Sequence, residues 1–165
     1  MKVSPNFDIR EFVPPEIWGR FGESSTWFID KRTVDVAEFY KDFFSRYFRN
    51  KVGQELKAVV IKVNDWQWNG PRKYSGFRPP DSSVGASLSQ HKFGSAFDCK
   101  IILVFHSGRR EEVDYEEIHR IIKEYEETFL ENGVSRIEDV KIAKTWLHTD
   151  TAWMPHQKKI MVVGG

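Results

Sequence analysis

Two short segments hold the side chains with the most chemistry to offer. Residues 89–98 run Ser89-Gln90-His91-Lys92-Phe93-Gly94-Ser95-Ala96-Phe97-Asp98, and further on the chain reads Thr145-Trp146-Leu147-His148-Thr149-Asp150. Zinc accepts imidazole nitrogen and carboxylate oxygen, and three such protein ligands leave a fourth position open for water. His91, Asp98 and His148 are the candidates. Gly94 allows the chain to turn sharply between His91 and Asp98, and Ser95 and Ala96 are small enough for close backbone approach. If 145–150 is a strand, alternation puts Trp146, His148 and Asp150 on one face. Each feature also has a plain alternative: a solvated His–Asp pair, or a half-buried histidine stacked beside Trp146.

The elements that must position these residues follow from periodicity. Residues 1–30 read as irregular, with Pro14-Pro15 opening one short helix over 16–21. Val36, Phe39, Tyr40, Phe43, Phe44, Tyr47 and Phe48 recur at three- and four-residue steps and predict a long amphipathic helix. Thr33 is its expected N-cap and Gly53 its stop. The β-branched run 57–64 predicts a strand. The Pro-, Gly- and Ser-rich stretch 65–90 predicts a long loop of functional interest. Residues 96–105 predict a central strand, closed by a turn at 106–109. Asp114 and Glu117 form a capping-box pattern ahead of a helix with Ile118, Ile121, Ile122, Tyr125 and Phe129 on its core face, ending at Asn132-Gly133. Short strands over 135–138 and 145–150 complete an α+β domain, with helices packed on a small, mostly antiparallel sheet.

Composition excludes several classes. The 165 residues make one domain by length, with 40% apolar residues, 30% charged residues and a net charge of +1. No basic excess or carboxylate cluster supports a nuclease, and no nucleic-acid partner is expected. Cys99 is the one cysteine, so no internal disulfide forms and folding in a reducing compartment is expected. It alternates away from Asp98 and reads as core. His106, His119 and His156 lack ligand spacing. No apolar run has the length of a signal peptide core or a membrane span, so cytoplasmic synthesis without membrane insertion is expected. A monomer is expected.

The pattern Ser-x-His-x-x-Gly-x-Ala-x-Asp, followed by Trp-x-His-x-Asp, resembles the D-Ala-D-Ala metallopeptidase family. That family includes D-Ala-D-Ala dipeptidases and carboxypeptidases and phage L-alanyl-D-glutamate endolysins, and the hedgehog signalling domain shares its zinc cage. The likeness runs from the Trp27-Phe28-Ile29-Asp30 region to Asp150 and is closest to the phage and prophage branch, through Asn64-Asp65-Trp66 and Tyr74-Ser75-Gly76-Phe77-Arg78-Pro79. It implies that His91, Asp98 and His148 bind one Zn²⁺, that Arg78 contacts the scissile carbonyl or a substrate carboxylate, and that Ser89 lies near the substrate. Trp66, Trp68 and Tyr74, in the loop before Arg78, are candidate aromatic walls for a muropeptide, with plain core packing as the alternative. The implied reaction is hydrolysis of an amide bond next to a D-amino acid in the peptidoglycan stem peptide, by a carboxypeptidase or an endopeptidase. The site of action would be the cell wall, after lysis or as part of a phage particle.

One departure stands out. Many members carry an acidic residue three positions before the last zinc histidine, or a histidine two before; Thr145 and Trp146 stand there instead. Glu138 is the first candidate to replace that proton acceptor, Asp150 the second (or a partner of the ligand His148), and Asp139 the third. The rival expectations are a zinc-loaded but catalytically silent cell-wall-binding or phage structural domain, and a metal-free structural domain.

Overall fold

The chain's apolar material is concentrated in one helix and one strand, and their contact sets the layout. A computed structural model describes residues 1–164. After a short helix, α1 (Pro15–Phe21), the long helix α2 spans Lys31–Val52. Asp30, not Thr33, caps α2 by accepting the Arg32 N–H, and Gly53 ends it at φ 80°. Thr33 lies inside the first turn, where its buried hydroxyl donates to the Gly94 carbonyl at 2.8 Å. That bond ties the helix start to the turn beside His91. Val36, Ala37, Tyr40, Phe44 and Phe48 form the buried stripe of α2.

The sheet has six strands: β1 (Leu56–Lys62), β2 (Ala96–Phe105), β3 (Arg110–Glu112), β4 (Arg136–Glu138), β5 (Leu147–Asp150) and β6 (Met161–Val163). Their order is β1-β2-β5-β4-β6, with β3 also on β2. Every pair is antiparallel except β4–β6. The fold is therefore α+β on a mostly antiparallel sheet. The strand at 96–105 is central: it holds β1 and β3 along its second half and β5 along residues 96–99. Alternation along β2 sends Phe97 and Cys99 away from Asp98 into the core. Tyr40 of α2 meets Phe97 there, ring centroids 5.6 Å apart, and its hydroxyl pairs with that of Thr149 at 2.9 Å. The helix thus braces the two strands that bear Asp98 and His148.

Three details differ from the sequence expectations. The helix expected after Asp114 breaks at Tyr125 (φ −108°, ψ 29°) into α3 (Tyr115–Glu124) and α4 (Glu126–Glu131). The break lets Phe129 join the α2 aromatics, 4.7 Å from Phe43 and 5.0 Å from Phe39. Asp114 caps α3 through the Glu116 N–H, while Glu117 pairs with Lys51 instead of closing a capping box. Strands β3 and β6 carry no apolar alternation, since their existence rests on pairing rather than burial. Among the described residues no helix is long and apolar enough to cross a membrane.

Residues 1–30 are more ordered than expected. Beside α1 they form 3-10 turns over Ile9–Glu11 and Gly22–Phe28, and Phe7, Ile9, Phe12 and Val13 are buried. The segment also reaches the site-bearing loop: the Phe77 N–H donates to the Phe12 carbonyl at 2.6 Å. A side chain at Gly76 would lie 2.2 Å from that carbonyl oxygen, so only glycine fits.

Glu11 closes a capping box here by accepting the Asp8 N–H at 3.0 Å. Burial pushes its carboxyl up to about 7, and neither that bond nor the nearby Lys2 offsets it. A folded value above the unfolded one means stability that is complete below about pH 4.5 and lost as pH rises through about 7. Glu11→Gln keeps the acceptor and removes the charge. It should melt like wild type at pH 4 and be more stable by about 2–3 kcal/mol at pH 8. Melting curves at both pH values check this; an equal difference at both would count against it.

Candidate metal centre

Two of the three candidate ligands are brought together by strand register alone. In the β2–β5 pair Asp98 stands directly opposite His148, and directly opposed residues have Cβ atoms about 4.5–5.5 Å apart. In the β4–β5 pair Arg136 stands opposite Asp150, two residues from His148 on the same face. The same register carried one step further sets Glu138 across from His148. His91 arrives from the 3-10 turn Gln90–Phe93, which Gly94 ends at φ 69°. A Cβ at Gly94 would lie 2.1 Å from the Phe28 carbonyl oxygen, so the turn that delivers His91 depends on glycine for both its backbone angle and its space.

The inward atoms of the three residues converge. Asp98 Oδ1 lies 2.7 Å from His148 Nδ1 and 3.3 Å from His91 Nε2, and the two ring nitrogens are 3.2 Å apart. The atoms pointing outward are each held. His91 Nδ1 donates to the Gly76 carbonyl at 2.7 Å, Arg78 donates to Asp98 Oδ2 at 2.7 Å, and His148 Nε2 donates to Asp150 Oδ1 at 3.1 Å. A carbonyl can only accept, so the His91 proton sits on Nδ1 and its Nε2 lone pair faces inward. On His148 both ring nitrogens meet carboxylate oxygens, Nε2 that of Asp150 and Nδ1 that of Asp98, so both carry protons, and Nδ1 is the nitrogen a metal between the three residues would take. With the His148 Nδ1 proton removed, the three residues offer one lone pair each to a common point, an arrangement that can hold a cation. Ligand atoms about 2.0–2.2 Å from a tetrahedral ion are about 3.3–3.6 Å apart; the separations of 3.3 and 3.2 Å are close to this, and the hydrogen-bonded Asp98–His148 pair, at 2.7 Å, is tighter. The donor set fits a divalent metal, and His₂Asp with an open side fits zinc chemistry.

The electrostatics agree. Burial works against a charged His148, but hydrogen bonds to Asp150 and Asp98 outweigh it and push the ring up to about 10. Burial would raise Asp98, yet His91 and His148 hold it well below the usual carboxylate range. Burial lowers Arg78 somewhat, against the attraction of Asp98 and Glu138. The metal-free protein therefore keeps a proton on His148 at neutral pH. A metal must displace it, so affinity should rise with pH by up to about tenfold per unit below pH 10, with one proton released per ion. Calorimetric titration in buffers of different ionisation enthalpy counts that proton; zero release would contradict a protonated His148 in the metal-free protein.

The three residues form the floor of a cleft of about 450 Å³, whose walls include Arg78, Leu88, Ser89, Glu138, Ile142 and Trp146. Ser89 and Glu138 are thus at the site. Arg78 is there too, committed through one nitrogen to Asp98 and through Nε to the Tyr74 carbonyl. Asp150 sits behind His148, engaged by the ring and by Arg136, which suits a positioning role better than proton transfer. Asp139 accepts the Lys141 N–H in the next turn and does not line the cleft.

The aromatic walls are not the expected ones. The Trp66 indole donates to the Val13 carbonyl at 2.9 Å and fastens the N-terminal segment. Trp68 lines a groove with Lys2 and Arg10, and Tyr74 one with Glu16 and Arg20. The apolar rim consists of Leu88, Ile142 and Trp146, of which Leu88 is 77% and Ile142 48% exposed. Leu88 and Ile142 carry no mark of function in the sequence. Arg136 was accessible only through the β4–β5 register. Cys99 is buried on the opposite face of β2, as expected from alternation.

The chain matches no family model, no curated protein and no solved structure.

Proposed function

We propose that this protein is a zinc-dependent peptidoglycan peptidase that hydrolyses an amide bond next to a D-amino acid. The observation that carries the proposal is the convergence of three atoms able to bind a metal, His91 Nε2, Asp98 Oδ1 and His148 Nδ1, on the floor of an open cleft. The substrate class rests on the resemblance of the 89–98 and 146–150 motifs to the D-Ala-D-Ala metallopeptidases, a family with both carboxypeptidases and phage endolysins. Zinc held by these residues would polarise the scissile carbonyl and make water nucleophilic at neutral pH.

The remaining work falls to the chain. Glu138 has no hydrogen-bond or ion-pair partner among the described residues, lines the cleft, and faces His148 in register. It takes the proton from the attacking water and delivers it to the leaving amine. Arg78 fixes Asp98 with one nitrogen, and the rest of its guanidinium offers donors to the substrate carbonyl or carboxylate. Leu88, Ile142 and Trp146 shelter the reacting bond from bulk water.

A catalytically silent cell-wall-binding domain is the second reading, favoured by Thr145 and Trp146 at the positions where many members of the resembled family carry the base. Muropeptide release from purified peptidoglycan, with zinc content measured on the same sample, decides between them. Release of fragments whose masses name the bond supports the peptidase. One zinc per chain without release supports the binder.

A further inference from the structure

We infer that Arg136 and Asp150 act as a coupled positioning pair that sets the tautomer of His148, with Arg136 working only through Asp150. The inference deepens the zinc reading above and rests on it. Register makes the pair: Arg136 of β4 and Asp150 of β5 are directly opposed, and Arg136 Nε lies 2.7 Å from Asp150 Oδ2. The other carboxylate oxygen, Oδ1, accepts the His148 Nε2–H at 3.1 Å. Asp150 is 3% exposed, so both of its carboxylate oxygens depend largely on these two partners.

The consequence concerns which nitrogen of His148 is free. A neutral imidazole carries one proton, and the other nitrogen is the ligand. Asp150, held in place by Arg136, presents Oδ1 as an acceptor that keeps a proton on Nε2, so the nitrogen left for a metal is Nδ1, which points at Asp98 Oδ1 and His91 Nε2. Without Asp150 the ring is free to take the other tautomer or to rotate. The His91 ring has a main-chain carbonyl for the same purpose, which no substitution at Gly76 can remove. The two histidines are therefore held by different means, and that of His148 alone depends on a side-chain relay.

Arg136 side-chain exposure is 26%, so Arg136→Met should fold. Asp150→Asn preserves shape where Asp150→Ala does not fold. The test is zinc affinity by competition with a chromophoric chelator, with long-range ¹H–¹⁵N spectra of the zinc-loaded proteins reporting the His148 tautomer. Asp150→Ala should weaken zinc about 10- to 100-fold, Arg136→Met less, and the double variant no more than Asp150→Ala alone. Asp150→Asn keeps an acceptor for Nε2–H and should recover part of the loss. The wild-type spectrum should show His148 protonated at Nε2. Equal zinc affinity in Asp150→Asn, Arg136→Met and wild type overturns the inference, as do losses that multiply in the double variant. A wild-type protein that binds no zinc removes the metal reading itself, and the positioning pair with it.

Discussion

Replacing His148 by alanine should remove the metal and the activity together. Only His91 and Asp98 would remain, and two ligands do not make a stable zinc site, so affinity should fall by roughly three orders of magnitude or more. The change also leaves two buried carboxylates, Asp98 and Asp150, without the ring that separates them and bonds to both. Each keeps its own arginine, Arg78 and Arg136, and that pairing allows the variant to fold. Metal analysis after dialysis, chelator competition and muropeptide release form the measurement, with melting in chelator as the control for folding. Full zinc occupancy in His148→Ala would refute the proposed ligand set. Retained cleavage without zinc would refute the metal mechanism.

The second large effect belongs to Glu138. Glu138→Gln keeps the size and polarity of the side chain but cannot accept a proton. The turnover number should drop about 10²- to 10⁴-fold, with zinc stoichiometry unchanged and KM moved little. The alternatives are already engaged: Asp150 by His148 and Arg136, Asp139 by the turn it closes. Unchanged turnover in Glu138→Gln would therefore leave the peptidase proposal without a proton acceptor and shift weight to the binding domain.

Arg78 shows how one residue can serve two roles at such a site. Its bond to Asp98 Oδ2 leaves Oδ1 as the candidate ligand atom, and its Nε bond to the Tyr74 carbonyl fixes the plane of the guanidinium. A Cβ at Gly85 would stand 2.6 Å from a terminal nitrogen of Arg78, so the loop backbone passes directly over the arginine. The loop before the motif is thus shaped around the ligand's partner. The sequence resemblance implies a substrate role for Arg78; the geometry adds its bond to the candidate ligand Asp98.

The long helix and the central strands were legible in the sequence, because each is a local property. Three- and four-residue apolar steps mark the buried face of α2, a β-branched run marks β1, and period-two alternation assigns His148 and Asp150 to one face and Cys99 to the other. The break at Tyr125, the exposed strands β3 and β6, and the placing of Trp66 and Tyr74 away from the cleft were not. The partners of the ligands were equally hidden: Gly76 as the carbonyl behind His91, Arg136 as the cation behind Asp150. Periodicity reports which way a side chain points from its own element. What stands opposite depends on register and loop packing between elements, and a one-residue slip of β4 against β5 would have put Arg136 and Glu138 on the far face. The residue types that can bind a metal are therefore written along the chain, while the tautomers, charges and open side that make them a site arise from contacts between elements far apart in sequence.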